Sequence, residues 1–445
     1  MSGFHASLRA WALGLCALAL QGTAQATLPI AHWSLASGAQ VYLIHSPTIP
    51  MVDVQIDFDA GARRDPADQS GLANLTASST AYGVRAQGGS PALDENALSD
   101  AWADLGASFG GSAGADRMSF SLRSLTEPAV LAKAVALAAR QLGTPSYPEA
   151  PWLRDRPKLV ASLKEANTRP ATLAARAFSR AVYGEHPYGY ESTEASLGRI
   201  SVADMQRLHA LSLRACNARL SIVGALERAQ AERVAQALLA LLPAGPCTPA
   251  AAVPEVAPLA AAHEERIAFA SAQAHVLVGQ PGVKRSTPDF FALTVGNHIL
   301  GGGGFTARLT EEVREKRGLT YSVYSAFAPG LHAGAFTIGL QTRPDQADEA
   351  LALVRQVLAQ FVEQGPSPAE LQAAKDNLVG GFALRLDSNR KLLDNLVNIA
   401  WNQLPLDYLE TWGAQVERLT PADIRTAFAR ALQPQKMVTV VLGAQ

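Results

Sequence analysis

The sequence predicts an α+β fold built from two homologous αβ-sandwich domains, each a mixed or antiparallel sheet packed with helices, the second domain repeating the first. Three observations predict it. The stretch "GPCTPAAAVPEVAPLAAAHE" (245–264) is rich in Pro and Ala and has no apolar period, as an interdomain linker does. The segments on either side of it, 27–244 and 265–445, can be laid over one another element for element. In both, short alternating runs that read as strands interleave with longer runs of three-and-four spacing that read as helices.

In chain order, residues 1–26 come first and read as a signal peptide. Arg9 gives the positive start, "WALGLCALAL" (11–20) the apolar core and Ala24-Gln25-Ala26 the small-x-small cleavage site. The apolar run is too short for a membrane span. The mature chain is expected to begin near Thr27 and to be exported, in a bacterium to the periplasm, with no membrane span. Cys16 leaves with the leader, so only Cys216 and Cys247 remain. In an oxidising compartment such a pair reads as one disulfide, although spacing alone does not exclude two thiols.

The first domain opens with the strands "QVYLIHS" and "MVDVQIDFDAGA", the second with "RIAFAS" and "AHVLVGQPG". A helix follows in each, "GLANLTASSTAYG" against "DFFALTVGNHILGGG". Next come a helix and a strand pair: "ALSDAWADLGASFGGSAGADRMSFSLRSL" against "RLTEEVREKRGLTYSVYSAFAPGLHAGAFTIGLQT". The helices "PAVLAKAVALAARQL" and "ADEALALVRQVLAQF" then match, and both domains close on a strand, "NARLSIVGAL" and "KMVTVVLGA".

Composition rules out several classes of function. With 48% hydrophobic and 17% charged residues the chain is globular, and a net charge of −1 gives no basis for binding nucleic acid. The nine histidines stand singly, at 5, 32, 45, 186, 209, 263, 275, 298 and 332, so no helical face offers two imidazoles to one zinc. There is no Gly-x-Ser-x-Gly elbow, and the glycine run 301–304 is followed by Phe305-Thr306-Ala307 rather than Gly-Lys-Ser/Thr. That run reads as a turn between two helices.

Four stretches carry a resemblance: "DAGARRDPADQSGLANLTASSTAYG", "YGEHPYGYES", "LGGGGFTARLTEEVREKRGLTYSVYS" and "LPLDYLETWGAQVERLTPADI". In this order the chain resembles the pitrilysin/insulinase zinc peptidases, in their bacterial and mitochondrial-processing branch, over residues 28–445. Active members carry the inverted motif His-x-x-Glu-His after Gly-Leu-Ala. Two His four apart on a helix bind zinc, and the Glu activates the metal-bound water. Here those positions read Asn74, Ala77 and Ser78. The family's third ligand is a Glu on a later helix. The matching stretch, "PWLRDRPKLVASLKEA", has Arg154, Asp155 and Arg156 there.

The resemblance implies that the first domain holds no zinc and cuts no peptide alone. It also implies that Arg314, on a helix, and Tyr321, seven residues on, reach into a zinc site. Arg314 would bind the substrate backbone, and Tyr321 would donate to the oxygen that gains charge in the transition state. Read without the resemblance, Arg314 belongs to a solvated face with Glu311, Glu312, Glu315 and Lys316, and Tyr321 is a packing aromatic. "EHPYG" reads as a turn and "LPLDYL" as a loop before a helix.

Two functions are therefore expected. The first is a non-catalytic subunit of a heterodimeric oligopeptidase, in which a homologous partner carries the zinc and this chain gives Arg314, Tyr321 and half the wall of a chamber for peptide substrates. The second is a peptide-binding or scaffold protein of the same fold, without hydrolysis.

Overall fold

Strand β3 (Met51–Phe58) shows how the first sheet is made. Val52, Val54, Ile56 and Phe58 point to one face and are all 0% exposed. On the other face Asp57 is buried too, and it accepts from Ser119 Oγ and faces Arg117 at 3.5 Å. A strand covered on both faces has to pair its buried carboxylates, and this one does. The computed structural model describes residues 29–443 apart from 244, 246, 248 and 249; the predicted signal peptide lies outside the described residues.

The first sheet contains β1 (Ile30–Ser34), β2 (Gln40–His45), β3, β6 (Ser108–Ala113), β7 (Met118–Leu125) and β8 (Arg219–Gly224). A short ribbon, β4 (Gly83–Val84) with β5 (Leu93–Asp94), lies outside it. The second sheet contains β9 (His263–Ile267), β10 (Ala274–Pro281), β11 (Ser322–Phe327), β12 (Ala335–Thr342) and β13 (Val438–Leu442). Their orders are β1-β2-β8-β3-β7-β6 and β11-β12-β10-β13-β9. Read from the β6 and β11 edges, the two match strand for strand, including one parallel pair in each, β2 with β8 and β9 with β13. The fold is α+β, and its second αβ sandwich repeats the first without a counterpart of β1.

The first half's helices are α1 (Leu72–Ser78), α2 (Glu95–Asp104), α3 (Pro128–Gly143), α4 (Glu149–Ala166), α5 (Pro170–Tyr183), α6 (Glu194–Arg199), α7 (Val202–Ser212) and α8 (Arg228–Leu239). The second half's are α9 (Phe290–Asn297), α10 (Ala347–Gln364), α11 (Pro368–Gly380), α12 (Asn389–Asn402), α13 (Tyr408–Glu417) and α14 (Pro421–Ala431). Among the described residues, no helix is long and apolar enough to cross a membrane.

Two of these helices cross between the halves. From the first half, α5 lays Ala174, Ala177, Phe178 and Val182 on the outer face of the second sheet, against Val438, Val440 and Leu442. Gly279 in β10 makes room for it, since a Cβ there would meet the Phe178 ring at 2.8 Å and Phe336 O at 2.0 Å. From the second half, α12 lays Leu393, Leu396 and Val397 on the outer face of the first sheet, in one core with Tyr42, Ile44 and Val223. Arg219 Nη1 donates to Trp401 O at 3.1 Å, and Ser46 Oγ donates to Asn389 Oδ1 at 3.0 Å. Between the halves the linker runs over the surface, where Arg64 Nη1 donates to Ala251 O and Val256 is buried. Cys216, before β8, is disulfide-bonded to Cys247 in the linker, with Cα atoms 5.9 Å apart.

Candidate functional site

Helix α1 is placed by its loop. Asp65, 6% exposed, accepts the backbone N–H of Gly71 through Oδ2 and of Ala73 through Oδ1, both at 2.9 Å. Gly71 has φ +107°, and a Cβ there would meet Ser192 Oγ at 2.6 Å, so a side chain is disfavoured twice over. Leu72 and Leu75 then pack with Tyr147, Trp152 and Met205, while Ala73 and Ala77 face the sheet.

The three motif positions follow from that orientation. Asn74 and Ser78 are exposed and Ala77 is fully buried. Asn74 Oδ1 accepts the Ala113 N–H at 3.1 Å, on edge strand β6, and Ser78 Oγ donates to Leu75 O. On α4, Arg154 forms ion pairs with Glu95 at 2.8 Å and Asp155 at 2.6 Å. Asp155 also accepts from Lys158 and from the Tyr82 hydroxyl, at 3.1 Å. Arg154 and Lys158 hold the Asp155 carboxyl well below its usual range, and burial with Asp155 beside it pushes Tyr82 up to about 12. An amide, a methyl, a hydroxyl and one already saturated carboxylate do not fit zinc, which takes imidazole, thiolate and carboxylate. Among the described residues no group of three or more His, Cys, Asp or Glu could hold a metal ion.

Burial pushes Asp65 up to about 6, against the N–H bonds that pull it down. The folded-state pKa is thus above the ordinary value near 4. Stability from this group is complete below about pH 4 and is lost as pH rises through about 6. Asp65→Asn is expected to cost about 1 kcal/mol through one lost capping bond and to flatten the pH profile between about 4 and 7. Urea denaturation across that range checks both; an unchanged slope would rule out Asp65 as its source.

In the second half, Arg314 lies in a wide i→i+5 turn, Thr310–Glu315, anchored by the fully buried Leu309 and Val313. The expected helix is therefore a distorted turn, in keeping with the tendency of such turns to occur at functional sites. Gly318 caps it, at φ +62°, with its N–H on Arg314 O at 2.9 Å. The Arg314 guanidinium lies 4.7 Å from the Phe305 ring centre, 5.1 Å from that of Tyr321 and 3.4 Å from Glu315. Tyr321 is 82% exposed and Phe305 71%. Tyr321 precedes β11 rather than lying in it, and buried Thr320 fixes the chain there by donating to Gln341 O. No hydrogen bond or ion pair joins this cluster to α1 among the described residues.

Sequence reasoning missed Phe305. Its one signal is a large aromatic directly after a glycine run. Within that run only Gly304 has positive φ, +66°; Gly301 is needed for close approach, since a Cβ there would meet Ser325 N at 2.5 Å. The nearby Arg308 is structural, paired with Glu370 through two bonds of 2.8 and 2.7 Å. "EHPYG" forms a tight turn, and "LPLDYL" leads into α13, where the Tyr408 hydroxyl accepts from Arg285.

The family profile described as the peptidase M16 inactive domain matches residues 199–378. An uncharacterised zinc protease of Streptomyces coelicolor is 34% identical over 187 residues, covering 41% of this chain and 40% of that protein. A non-peptidase homologue from Helicobacter pylori is 34% identical over 156 residues, 34% of this chain and 35% of that one. The chain thus matches well under half the length of these curated relatives. The crystal structure of a peptidase M16 inactive domain from Pseudomonas fluorescens superposes with a TM-score of 0.87 at 35% identity, over 94% of this chain and 98% of that one. The chain belongs to the pitrilysin/insulinase (M16) zinc-peptidase family, as a member without the zinc motif.

Proposed function

We propose that this chain is the non-catalytic subunit of a two-subunit, zinc-dependent oligopeptidase in the bacterial periplasm. A homologous partner bearing His-x-x-Glu-His holds the zinc, and this chain supplies Arg314, Tyr321 and half the wall of the chamber. The observation that carries the reading is the exposed Phe305–Arg314–Tyr321 cluster, in a chain whose motif positions carry no metal ligands. An arginine spread over two aromatic rings keeps its fork in place while its N–H groups stay available for peptide carbonyls. The hydroxyl of Tyr321 faces solvent and makes no hydrogen bond among the described residues. Both groups are therefore open to a substrate held by a second subunit. The Cys216–Cys247 bond suits an oxidising compartment.

The test is reconstitution. The chain alone is expected to hold no stoichiometric zinc and to cleave no peptide; mixed with an M16 protein carrying the intact motif, it is expected to raise that protein's zinc-dependent peptide cleavage. Metal-dependent cleavage by the rigorously purified single chain would overturn the reading. Assembly without any gain in cleavage would favour the scaffold alternative, which the non-peptidase naming of the Helicobacter pylori relative also supports.

A further inference from the structure

The turn Glu185–Gly189 has no part in the reading above, yet both halves and the linker converge on it. His186 is 7% exposed. Its Nδ1 accepts the Tyr188 backbone N–H at 3.1 Å, and its Nε2 lies 2.9 Å from Pro254 O in the linker. A ring that accepts at Nδ1 and donates at Nε2 is a neutral imidazole with both nitrogens in use. The His332 ring, from the turn between β11 and β12, stands 5.3 Å away. His332 is 9% exposed, and its Nδ1 meets Glu255 Oε2, on the next linker residue, at 3.1 Å.

The backbone ties these rings to the first half as well. The His332 N–H donates to the Tyr188 hydroxyl at 3.1 Å, and that hydroxyl donates to Asp116 Oδ1 at 2.6 Å. Asp116 Oδ2 accepts the Leu331 N–H. The other charged or titratable groups around the pair are few. Lys284 sits on Glu255 at 2.6 Å, Arg63 holds Asp116 O, the Tyr183 ring is 6.4 Å from His186, and Glu185 is exposed beside it.

We propose that this cluster is a proton-operated latch on the linker strap 251–256. A proton taken from solvent onto His186 Nδ1 removes the acceptor that closes the His186–Tyr188 turn. It also sets a cation beside the His332 ring, 5.3 Å away, whose Nδ1 meets Glu255. The turn then opens, Pro254 O loses its donor, and the strap comes off both halves.

The direction follows from the surroundings. Burial, with His332 nearby, holds His186 below the ordinary imidazole range, so the latch is shut at neutral pH. Lys284 keeps Glu255 ionised throughout, so the carboxylate does not switch first. A histidine depressed by folding contributes stability that is present above about pH 6.5 and lost as pH falls below it. The latch does not depend on the peptidase reading.

Hydrogen exchange on the full chain, read by mass spectrometry and corrected for intrinsic rates, tests it. Between about pH 7.5 and 5, exchange in the strap is expected to rise about tenfold, while α10 stays unchanged. His186→Asn keeps an acceptor near the Nδ1 position but cannot titrate, so the acid-induced rise should vanish. Equal corrected exchange at both pH values in the wild type overturns the latch, as does an undiminished rise in His186→Asn. Should that variant not fold, the NMR titration of His186 decides. A midpoint that tracks strap opening supports the proposal; titration with the strap still protected rejects it.

Discussion

Arg314→Ala and Tyr321→Phe are each expected to lower turnover of the reconstituted peptidase by about 10²–10³-fold, the loss usual for one aimed donor at a charge-gaining oxygen. The structure makes this a clean experiment. The Tyr321 hydroxyl makes no hydrogen bond among the described residues, and its ring is 82% exposed, so deleting the oxygen removes nothing from the folded chain. Stability is expected to change by less than about 0.5 kcal/mol, as at other exposed sites. On the proposed roles, the loss should fall on kcat and kcat/KM together for Tyr321→Phe, whose bond would form in the transition state, while Arg314→Ala, which would remove a contact to the substrate backbone, should raise KM as well. Phe305→Ala is expected to lie between the wild type and Arg314→Ala, because it frees the guanidinium without deleting it. Size-exclusion chromatography checks that assembly persists. Full turnover in both single variants would leave the cluster without a role.

Rebuilding the lost motif is expected to fail, and to do so at a predictable residue. Ala77 is 0% exposed and packs in the first core beside Phe120; a Cβ on Gly111 would already touch Ala77 O at 2.7 Å. Ala77→Glu places a carboxylate there with no cation to pair it, at a cost of about 3–5 kcal/mol. Burial raises the pKa of such a group, so the deficit should be larger near pH 8 than near pH 5. Asn74→His and Ser78→His, both at exposed positions, should be tolerated. The triple variant is still expected to bind no stoichiometric zinc, because Arg154 and Lys158 occupy Asp155, the carboxylate in the stretch of α4 where a third ligand is sought. Elemental analysis of the triple variant and thermal melts of the single variants check both statements; zinc bound at one equivalent would show that the site was closer to intact than its side chains imply.

What the sequence made legible was whatever a local period or a repeated order encodes. The alternation in "MVDVQIDF" returns as β3, and the matched order of segments returns as two sheets with the same strand neighbours. The emptied motif was legible for a different reason: metal ligation depends on residue type, and type can be read directly. Three things were not legible. Periodicity shows that Phe178 and Val397 face something apolar, but not that each lies on the other half's sheet. The wide turn under Arg314 depends on the burial of Leu309 and Val313, while the same letters read as an ordinary amphipathic helix. His186 looked like a single unpaired imidazole because its neighbours, Pro254 and His332, are 68 and 146 positions away in the chain (254 − 186 and 332 − 186).

The exchange of α5 and α12 also bears on how the chain is made. Although its halves repeat, neither can finish on its own: until residues 389–402 have emerged, the outer face of the first sheet, with Tyr42, Ile44 and Val223, has nothing to cover it. A nascent first half would therefore expose an apolar sheet for most of its synthesis, the condition under which aggregation competes with folding.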